Sequence, residues 1–240
     1  MLLLRSLIYN FLFYLMMALM GIGFAPLAIW SRGGALWAMH RYTDVVLWMA
    51  RVICGLRFEV RGEIPQGNVL IAAKHQSFLD ILILAHVLPR FNFIMKKELK
   101  WAPILGLYAM RIGAVPVDRG KKGQAVTKMV SDIEEDQREP RQLVIYPQGT
   151  RVEPGAAAPY KIGAWHLYRA HGLPCIPAAV NTGAFWPRKG IVRRPGHAVI
   201  EFLPAMAPGM EADAFLSALE TTVETKSARL LAEARAQLSD

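Results

Sequence analysis

The sequence predicts an α/β fold, with a mixed, largely parallel sheet flanked by helices and an N-terminal hydrophobic membrane-associated helical segment. Three observations support this fold class. The first 31 residues carry a single charge, short apolar runs alternate with helix-period segments after residue 56, and no linker is long enough to separate two soluble domains. Such alternation is typical of a layer of parallel strands covered by helices. We therefore predict membrane-associated helices over residues 1–56 and an α/β domain over residues 57–240.

The N-terminal segment has no charged residue between positions 6 and 31 and is long enough to cross a bilayer. Gly21, Gly23 and Pro26 interrupt it, so we expect a helix, a break and a second short helix. A cleaved signal peptide is a competing interpretation, but the apolar run is longer than such a peptide needs and no A-x-A-like site follows it. A buried core helix is the third interpretation.

Residues 35–54 form the next helix-period segment, and their pattern is amphipathic. Arg41, Asp44 and Arg51 fall on one stripe, while apolar side chains cover most of the remaining surface. One interpretation places this helix in the membrane interface, with its tryptophans at headgroup depth. The other makes it a core helix of the globular domain.

The rest of the chain alternates between strand and helix signals. Residues 56–61 alternate with period two, whereas residues 69–73 are continuously apolar and predict a strand that is buried on both faces. Pro140 and Gly172 end helix-period segments, and acidic residues open the last helix, which suits its dipole. The predicted strands are residues 56–61, 69–73, 91–95, 112–117, 143–146, 176–180 and 198–203. The predicted helices are residues 78–88, 98–110, 123–139, 161–171 and 211–238.

The charge balance is basic, with a net charge of +9 from 28 Lys and Arg against 19 Asp and Glu. A basic surface beside an apolar anchor suits an anionic membrane and anionic substrates. No nucleic-acid motif or dense basic helix is present, so nucleic acid is not an expected partner. We expect the protein at the cell inner membrane, and the charge bias favours an active domain on the cytoplasmic side. Cys54 and Cys175 are isolated, which indicates reduced small hydrophobes.

The segment K-H-Q-S-F-L-D, residues 74–80, lies where the buried strand runs into an apolar helix. Five residues on a regular helix are about 140° apart, so His75 and Asp80 cannot meet if both are helical. They can meet if His75 lies in the preceding loop, with Ser77 as the helix cap and Asp80 in the first turn. The segment then offers a general base and an orienting carboxylate. The alternative interpretation is a simple cap beside a loop histidine.

Two more loops follow predicted strands and carry polar groups, D-R-G-K-K-G over residues 118–123 and P-Q-G-T-R over residues 147–151. In open α/β sheets ligands bind beyond the carboxyl ends of strands, so these loops are candidates for one cleft. Glycines let backbone N–H groups approach an anion, and Arg119 and Arg151 offer planar forks to phosphate oxygens. Thr150 adds a hydroxyl donor. A solvated or structurally paired arginine is the alternative at both positions.

The order of four segments, H-Q-S-F-L-D, V-D-R-G, Y-P-Q-G-T-R and I-P-A-A-V-N, resembles the glycerolipid acyltransferase family over residues 57–205. Within that family the 1-acylglycerol-3-phosphate acyltransferase branch is the nearest match, and K-K-E-L at residues 96–99 also looks like it. The resemblance implies transfer of a fatty acyl group from acyl-CoA or acyl carrier protein to the sn-2 hydroxyl of lysophosphatidic acid. The product would be phosphatidic acid, in phospholipid synthesis at a membrane.

The family pattern also implies roles for individual residues. It makes His75 the base and Asp80 its orienting partner, and it gives the loops at Arg119 and Arg151 to the substrate phosphate. It associates Pro177 with the acyl chain or acyl donor. The family usually has a glutamate at position 148, and the amide found here keeps hydrogen-bonding capacity but cannot act as a base. The candidate substrate-binding residues are Lys96, Arg119, Gln148, Gly149, Thr150, Arg151 and Pro177.

Several alternatives stay open at this point. A lyso-aminolipid is the other acceptor within the family. Outside it, a lipid hydrolase would use Ser77 as nucleophile, although the chain lacks a G-x-S-x-G elbow. A non-catalytic binder of anionic lipid headgroups would keep the arginines and have no use for His75. We expect no metal and no cofactor apart from the thioester co-substrate, because the six histidines do not form a ligand cluster.

Overall fold

The computed structural model describes residues 1–118 and 140–239. The predicted helix over residues 123–139 and the candidate Arg119 therefore lie outside the described residues. The strands are β1 (Leu56–Arg61), β2 (Val69–Ala73), β3 (Phe91–Lys96), β4 (Val115–Val117), β5 (Gln142–Ile145), β6 (Cys175–Val180) and β7 (Gly196–Phe202). The helices are α1 (Leu2–Gly23), α2 (Ala25–Trp30), α3 (Arg32–Cys54), α4 (Phe78–Val87), α5 (Leu105–Arg111), α6 (Gly163–His171) and α7 (Ala212–Ser239).

These seven strands form one sheet in the order β1-β7-β6-β2-β5-β3-β4. The β6–β7 pair is antiparallel and all the other neighbouring pairs are parallel. The predicted mixed, largely parallel sheet is thus confirmed. Because β2, β5 and β6 are adjacent and parallel, the loops that follow them leave the sheet at the same edge.

Alternate residues of β2 face two different cores. Ile71 packs in a cluster with residues of α1, α3 and α4, whereas Leu70 packs in a cluster with residues of α6 and α7. This explains why the whole strand is buried and why its sequence is continuously apolar. The central strands are therefore fixed from both faces, which gives the loops at their carboxyl ends a rigid base.

The N-terminal segment folds as the glycine and proline positions predict. α1 ends before Phe24 and α2 begins directly after it, with Pro26 in the first turn of the short helix. Among the described residues α1 is the one helix long and apolar enough to cross a membrane, with a mean hydropathy of 1.7 over its most apolar stretch, of which 17% is buried. Tyr9 and Phe13 are among the few buried residues of α1, and they pack into the same core as β2.

α3 is a core helix along one face, and its place in the membrane interface stays a prediction. One face is buried against the sheet and α1, including Val46 and Ala50, as in a core helix. Trp37 and Trp48 lie on the exposed side. The helix ends at Gly55, whose φ of 68° is left-handed, and β1 begins one residue later. The division between residues 56 and 57 into two parts stays a prediction.

Two predicted elements are wrong in extent. The helix predicted over residues 98–110 is a 3-10 turn at Lys97–Trp101 followed by α5, because Pro103 lacks an N–H and Ile104 has a φ of 63° that no helix continues. The strand predicted over residues 112–117 is reduced to β4. α5 runs to Arg111, and Gly113, with a φ of 90°, then turns the chain before it extends.

Candidate active site

The loop between β2 and α4, residues 74–77, is called here the histidine loop. Its helix cap forms as predicted. The Ser77 hydroxyl accepts a hydrogen bond from the Leu79 N–H over 3.1 Å, and the Asp80 carboxylate reaches back to the Ser77 N–H over 2.9 Å. Ser77 is fully buried in this capping arrangement, which favours the cap over a nucleophilic role.

His75 and Asp80 meet as the loop geometry requires. The imidazole Nδ1 lies 2.9 Å from Asp80 Oδ2, and the side chain of His75 is 13% exposed whereas that of Asp80 is fully buried. An ionised carboxylate only accepts hydrogen bonds, so Nδ1 carries the proton. Nε2 is then the unprotonated ring nitrogen, and it has no hydrogen-bond partner among the described residues. The pair thus has the arrangement of a general base with an orienting acid.

The carboxylate of Asp80 is held from several sides. Besides Nδ1, Oδ2 accepts from the backbone N–H groups of Gln76 over 2.7 Å and Ser77 over 2.9 Å. The Thr182 hydroxyl, just beyond β6, donates to Oδ1. Such a set of donors leaves the side chain of Asp80 little freedom to turn. The imidazole of His75 is therefore held in one orientation by Asp80, because hydrogen bonds hold Asp80 itself in place.

Tyr146 forms one wall of the site. Its ring stacks on the imidazole of His75, with ring centres 3.9 Å apart and planes inclined by 16°. Burial, with a further contribution from the charge of Asp80, raises the pKa of the Tyr146 phenol well above its usual value. The phenol therefore stays neutral and acts as a flat surface that limits the tilt of the imidazole.

The loop after β5, residues 147–151, is called here the glycine loop. Gly149 has a φ of 68°, a left-handed conformation that favours glycine. Thr150 is exposed, and no carboxylate among the described residues pairs with the guanidinium of Arg151. The next residue, Val152, donates its N–H to the carbonyl of His75 over 2.7 Å. That bond joins the glycine loop to the histidine loop.

Lys161 adds a second cation to the glycine loop. A Cβ placed on Gly149 would lie 2.7 Å from its Nζ, so the ammonium group lies directly against the glycine. The backbone N–H of Lys161 donates to the carbonyl of Pro147 over 2.9 Å, which ties the start of α6 to this loop. The glycine loop thus carries an arginine and an exposed hydroxyl, with a lysine ammonium against its glycine, and groups of this kind suit an anion.

Other predicted site residues lie elsewhere. The amide of Gln148 is buried and donates to Glu224 Oε1 over 3.3 Å, so it faces α7 rather than the open side of the glycine loop. Lys96 ends β3 and pairs with Glu98 at 3.5 Å on the surface. Pro177 is buried inside β6, in register with Ala72. The structure thus brings His75 and Asp80 together and joins them to the glycine loop through Val152, and no contact among the described residues links Lys96 or Pro177 to this group.

Sequence reasoning missed Tyr146, Thr182 and Lys161. Two of them had a usable signal, because Tyr146 directly follows β5 and Thr182 lies two residues after β6. These two strands are the neighbours of β2 in the sheet. Polar and aromatic residues at the ends of parallel strands are candidates for the same edge. Lys161 gave no such signal, since it lies ten residues beyond Arg151 in an irregular segment.

A histidine held by a buried acid, beside a cationic loop at one edge of an α/β sheet, is an arrangement suited to group transfer onto an anionic substrate. Residues 57–181, more than half of the chain, match the model of the family described as Acyltransferase. The chain belongs to this family and is an acyltransferase.

Curated relatives are similar over most of the chain. A 1-acyl-sn-glycerol-3-phosphate acyltransferase of Pseudomonas aeruginosa is 27% identical over 197 residues, 81% of this chain and 77% of that protein. The enzyme of the same description from Saccharomyces cerevisiae is 30% identical over 208 residues, 79% of this chain and 68% of its own length. The alpha form from Mus musculus is 32% identical over 171 residues, and the match covers 68% of this chain and 59% of that protein.

The fold has a solved counterpart. The crystal structure of the 1-acyl-sn-glycerophosphate (LPA) acyltransferase PlsC from Thermotoga maritima superposes with a TM-score of 0.77. The match covers 96% of this chain and 99% of that one, at 18% sequence identity. At this identity the likeness concerns the fold, and it includes the N-terminal helices as well as the sheet.

Proposed function

We propose that the protein transfers a fatty acyl group from a thioester to the sn-2 hydroxyl of 1-acyl-sn-glycerol 3-phosphate, giving phosphatidic acid. The His75–Asp80 pair beside the cationic glycine loop is the observation that carries this proposal. The activities for which the relatives from Pseudomonas aeruginosa and Saccharomyces cerevisiae are named support the same acceptor. The acyl donor is a thioester of coenzyme A or of acyl carrier protein, and no further cofactor takes part.

The proposed chemistry needs one proton transfer. Nε2 of His75 takes the proton of the lipid hydroxyl while the oxygen attacks the thioester carbonyl carbon. The C–O bond forms, the C–S bond breaks, and the leaving thiolate receives the proton from the imidazolium. Asp80 stabilises the imidazolium and fixes its tautomer, as the acid of a catalytic triad does. Such general-base assistance is worth about 10²–10⁴-fold in rate.

The glycine loop supplies the proposed acceptor specificity. The fork of Arg151 and the ammonium of Lys161 bind the phosphate of the lysolipid, and the hydroxyl of Thr150 adds a donor. Because Val152 is hydrogen-bonded to the carbonyl of His75, a phosphate on this loop holds the glycerol hydroxyl at a set distance from the imidazole. Holding the reactants in register contributes to the rate in addition to the base.

A membrane location supports a lipid acceptor. α1 exposes large apolar side chains along most of its length, and α2 adds the exposed Ile29 and Trp30. We propose that this surface enters the cell inner membrane, with the sheet on the cytoplasmic side. The net positive charge of the chain suits anionic headgroups there. Membrane insertion would keep the open edge of the sheet close to its lipid substrate.

A purified-enzyme assay tests the proposal with a panel of lysolipids and acyl thioesters. His75→Ala should lower kcat by about 10²–10⁴-fold with lysophosphatidic acid, because the base is removed. His197→Ala is the matched control, since that histidine is exposed on β7 and remote from Asp80 in the contacts of the described residues. Undiminished turnover in His75→Ala would refute the assignment of His75 as the base. A preference for a lyso-aminolipid would refute lysophosphatidic acid as the acceptor.

A further inference from the structure

A buried ammonium group stands next to the proposed base. The side chain of Lys74, the residue before His75, is 1% exposed. Its Nζ donates to Oε1 of Glu224, on α7, over 2.6 Å. A buried charge is costly unless it is paired and hydrogen-bonded, and removal of one partner leaves the other uncompensated. Glu224 is therefore the counter-ion that lets Lys74 lie inside the protein.

The same carboxylate oxygen has two more partners. Oε1 of Glu224 accepts from the Tyr160 hydroxyl over 3.0 Å and from the Gln148 amide over 3.3 Å. Burial, together with the charge of Glu224, raises the pKa of the Tyr160 phenol, so it remains a donor. One carboxylate from α7 thus joins the first residue of the histidine loop to the second residue of the glycine loop.

Position 148 has a particular meaning in this arrangement. The glycerolipid acyltransferase family, which this sequence resembles, usually has a glutamate there. In this chain a glutamate at 148 would lie within hydrogen-bonding distance of Glu224, and two carboxylates would share one ammonium. The amide donates where a carboxylate would repel. Among the described residues, Glu224 is the carboxylate that pairs with Lys74, and it comes from α7.

We propose that Glu224, on the C-terminal helix α7, is a positioning residue for acyl transfer. Its carboxylate supplies the negative charge that Gln148 does not carry. This inference rests on the proposed function. The Glu224 carboxylate holds Lys74 and Gln148 together, and these residues directly precede His75 and Gly149 in the chain. The distance between base and phosphate site is thereby set by a contact across 150 residues of sequence. A misplacement of about 1 Å in such a site can cost 10²-fold in rate.

An exchange of the side chains at positions 148 and 224 tests the inference. Glu224→Gln leaves Lys74 without a carboxylate, and we expect kcat to fall about 10–100-fold with a higher KM for lysophosphatidic acid, since both loops shift. Gln148→Glu alone should also lower activity, because it adds a second carboxylate. The double variant Gln148→Glu/Glu224→Gln restores one carboxylate to the cluster and should return kcat to within about threefold of the wild type.

Controls separate this inference from the proposed function. Asp213→Asn removes the same charge from an exposed side chain at the start of α7, remote from Lys74 and Gln148 in the contacts of the described residues, and should leave kcat unchanged. If Glu224→Gln does not fold, as measured by its melting temperature, the double variant decides the question, because it retains the single carboxylate. An unrescued double variant, or Glu224→Gln with wild-type kinetics, overturns the inference while leaving the proposed function intact. Activity retained in His75→Ala would instead defeat the proposed function.

Discussion

The two loops that meet at the candidate active site are built in opposite ways. In the histidine loop the polar groups around Asp80 are paired within the protein, and the carboxylate is fully buried. In the glycine loop Thr150 is exposed, Arg151 forms no ion pair with the described residues, and Lys161 lies along Gly149. One loop is complete without a ligand and the other presents cationic and polar groups to the outside.

This difference fits the two tasks that we propose for the loops. A base and its orienting acid must already be aligned when the reaction begins, so their hydrogen bonds form during folding. Groups that bind an anion gain their partner only when the anion arrives, so they remain accessible in the free protein. The comparison therefore predicts that changes in the histidine loop act mainly on kcat, and that changes in the glycine loop act mainly on the KM of the lysolipid.

The largest effect is expected for Asp80→Asn. An amide in this position cannot accept from all the groups that surround it, and the imidazole loses the partner that fixes its tautomer. By analogy with the acid of a catalytic triad, kcat should fall on the order of 10³–10⁴-fold. Steady-state kinetics with a fixed thioester would measure this, with Asp213→Asn at the exposed start of α7 as control. A raised KM at constant kcat would contradict the prediction that changes around His75 act mainly on kcat.

Arg151→Ala changes the glycine loop and should therefore act mainly on the KM for the lysolipid. Loss of a charge-assisted hydrogen bond costs about 1.5–3 kcal/mol, so the KM for lysophosphatidic acid should rise about 10–100-fold. The KM for the acyl thioester should stay constant, since the fork is assigned to the acceptor phosphate. Arg229→Ala, which removes an exposed arginine from α7, is the control. An unchanged acceptor KM would refute the phosphate site.

Ser77→Ala should give the smallest effect and separates stability from catalysis within the histidine loop. The variant loses the side-chain cap of α4, about 1 kcal/mol, which lowers the melting temperature by about 2–4 °C. The backbone N–H of Ser77 still donates to Asp80, so kcat should change little. Thermal unfolding and kinetics on the same sample would show this. Complete loss of activity would support the serine hydrolase instead.

Local patterns account for the parts of the fold that were predicted correctly. The buried strand β2, the cap at Ser77 and the break between α1 and α2 each depend on residues within a few positions of one another, so periodicity and capping rules suffice. The meeting of His75 and Asp80 follows from the same rules, because the cap places one residue before the helix and the other in its first turn. Local rules were insufficient near Pro103, where the conformation of Ile104 divides the predicted helix.

The sequence by itself therefore determined the class of fold, the apolar N-terminal helix and the meeting of His75 with Asp80. The tertiary structure alone decided which distant residues complete the site. Thr182 reaches Asp80 across 102 residues and Glu224 reaches Lys74 across 150. Contacts of this kind depend on the order of strands in the sheet and on how α7 packs against it. Neither is encoded in the spacing of neighbouring residues, because the free energy that selects them comes from burial of the whole core.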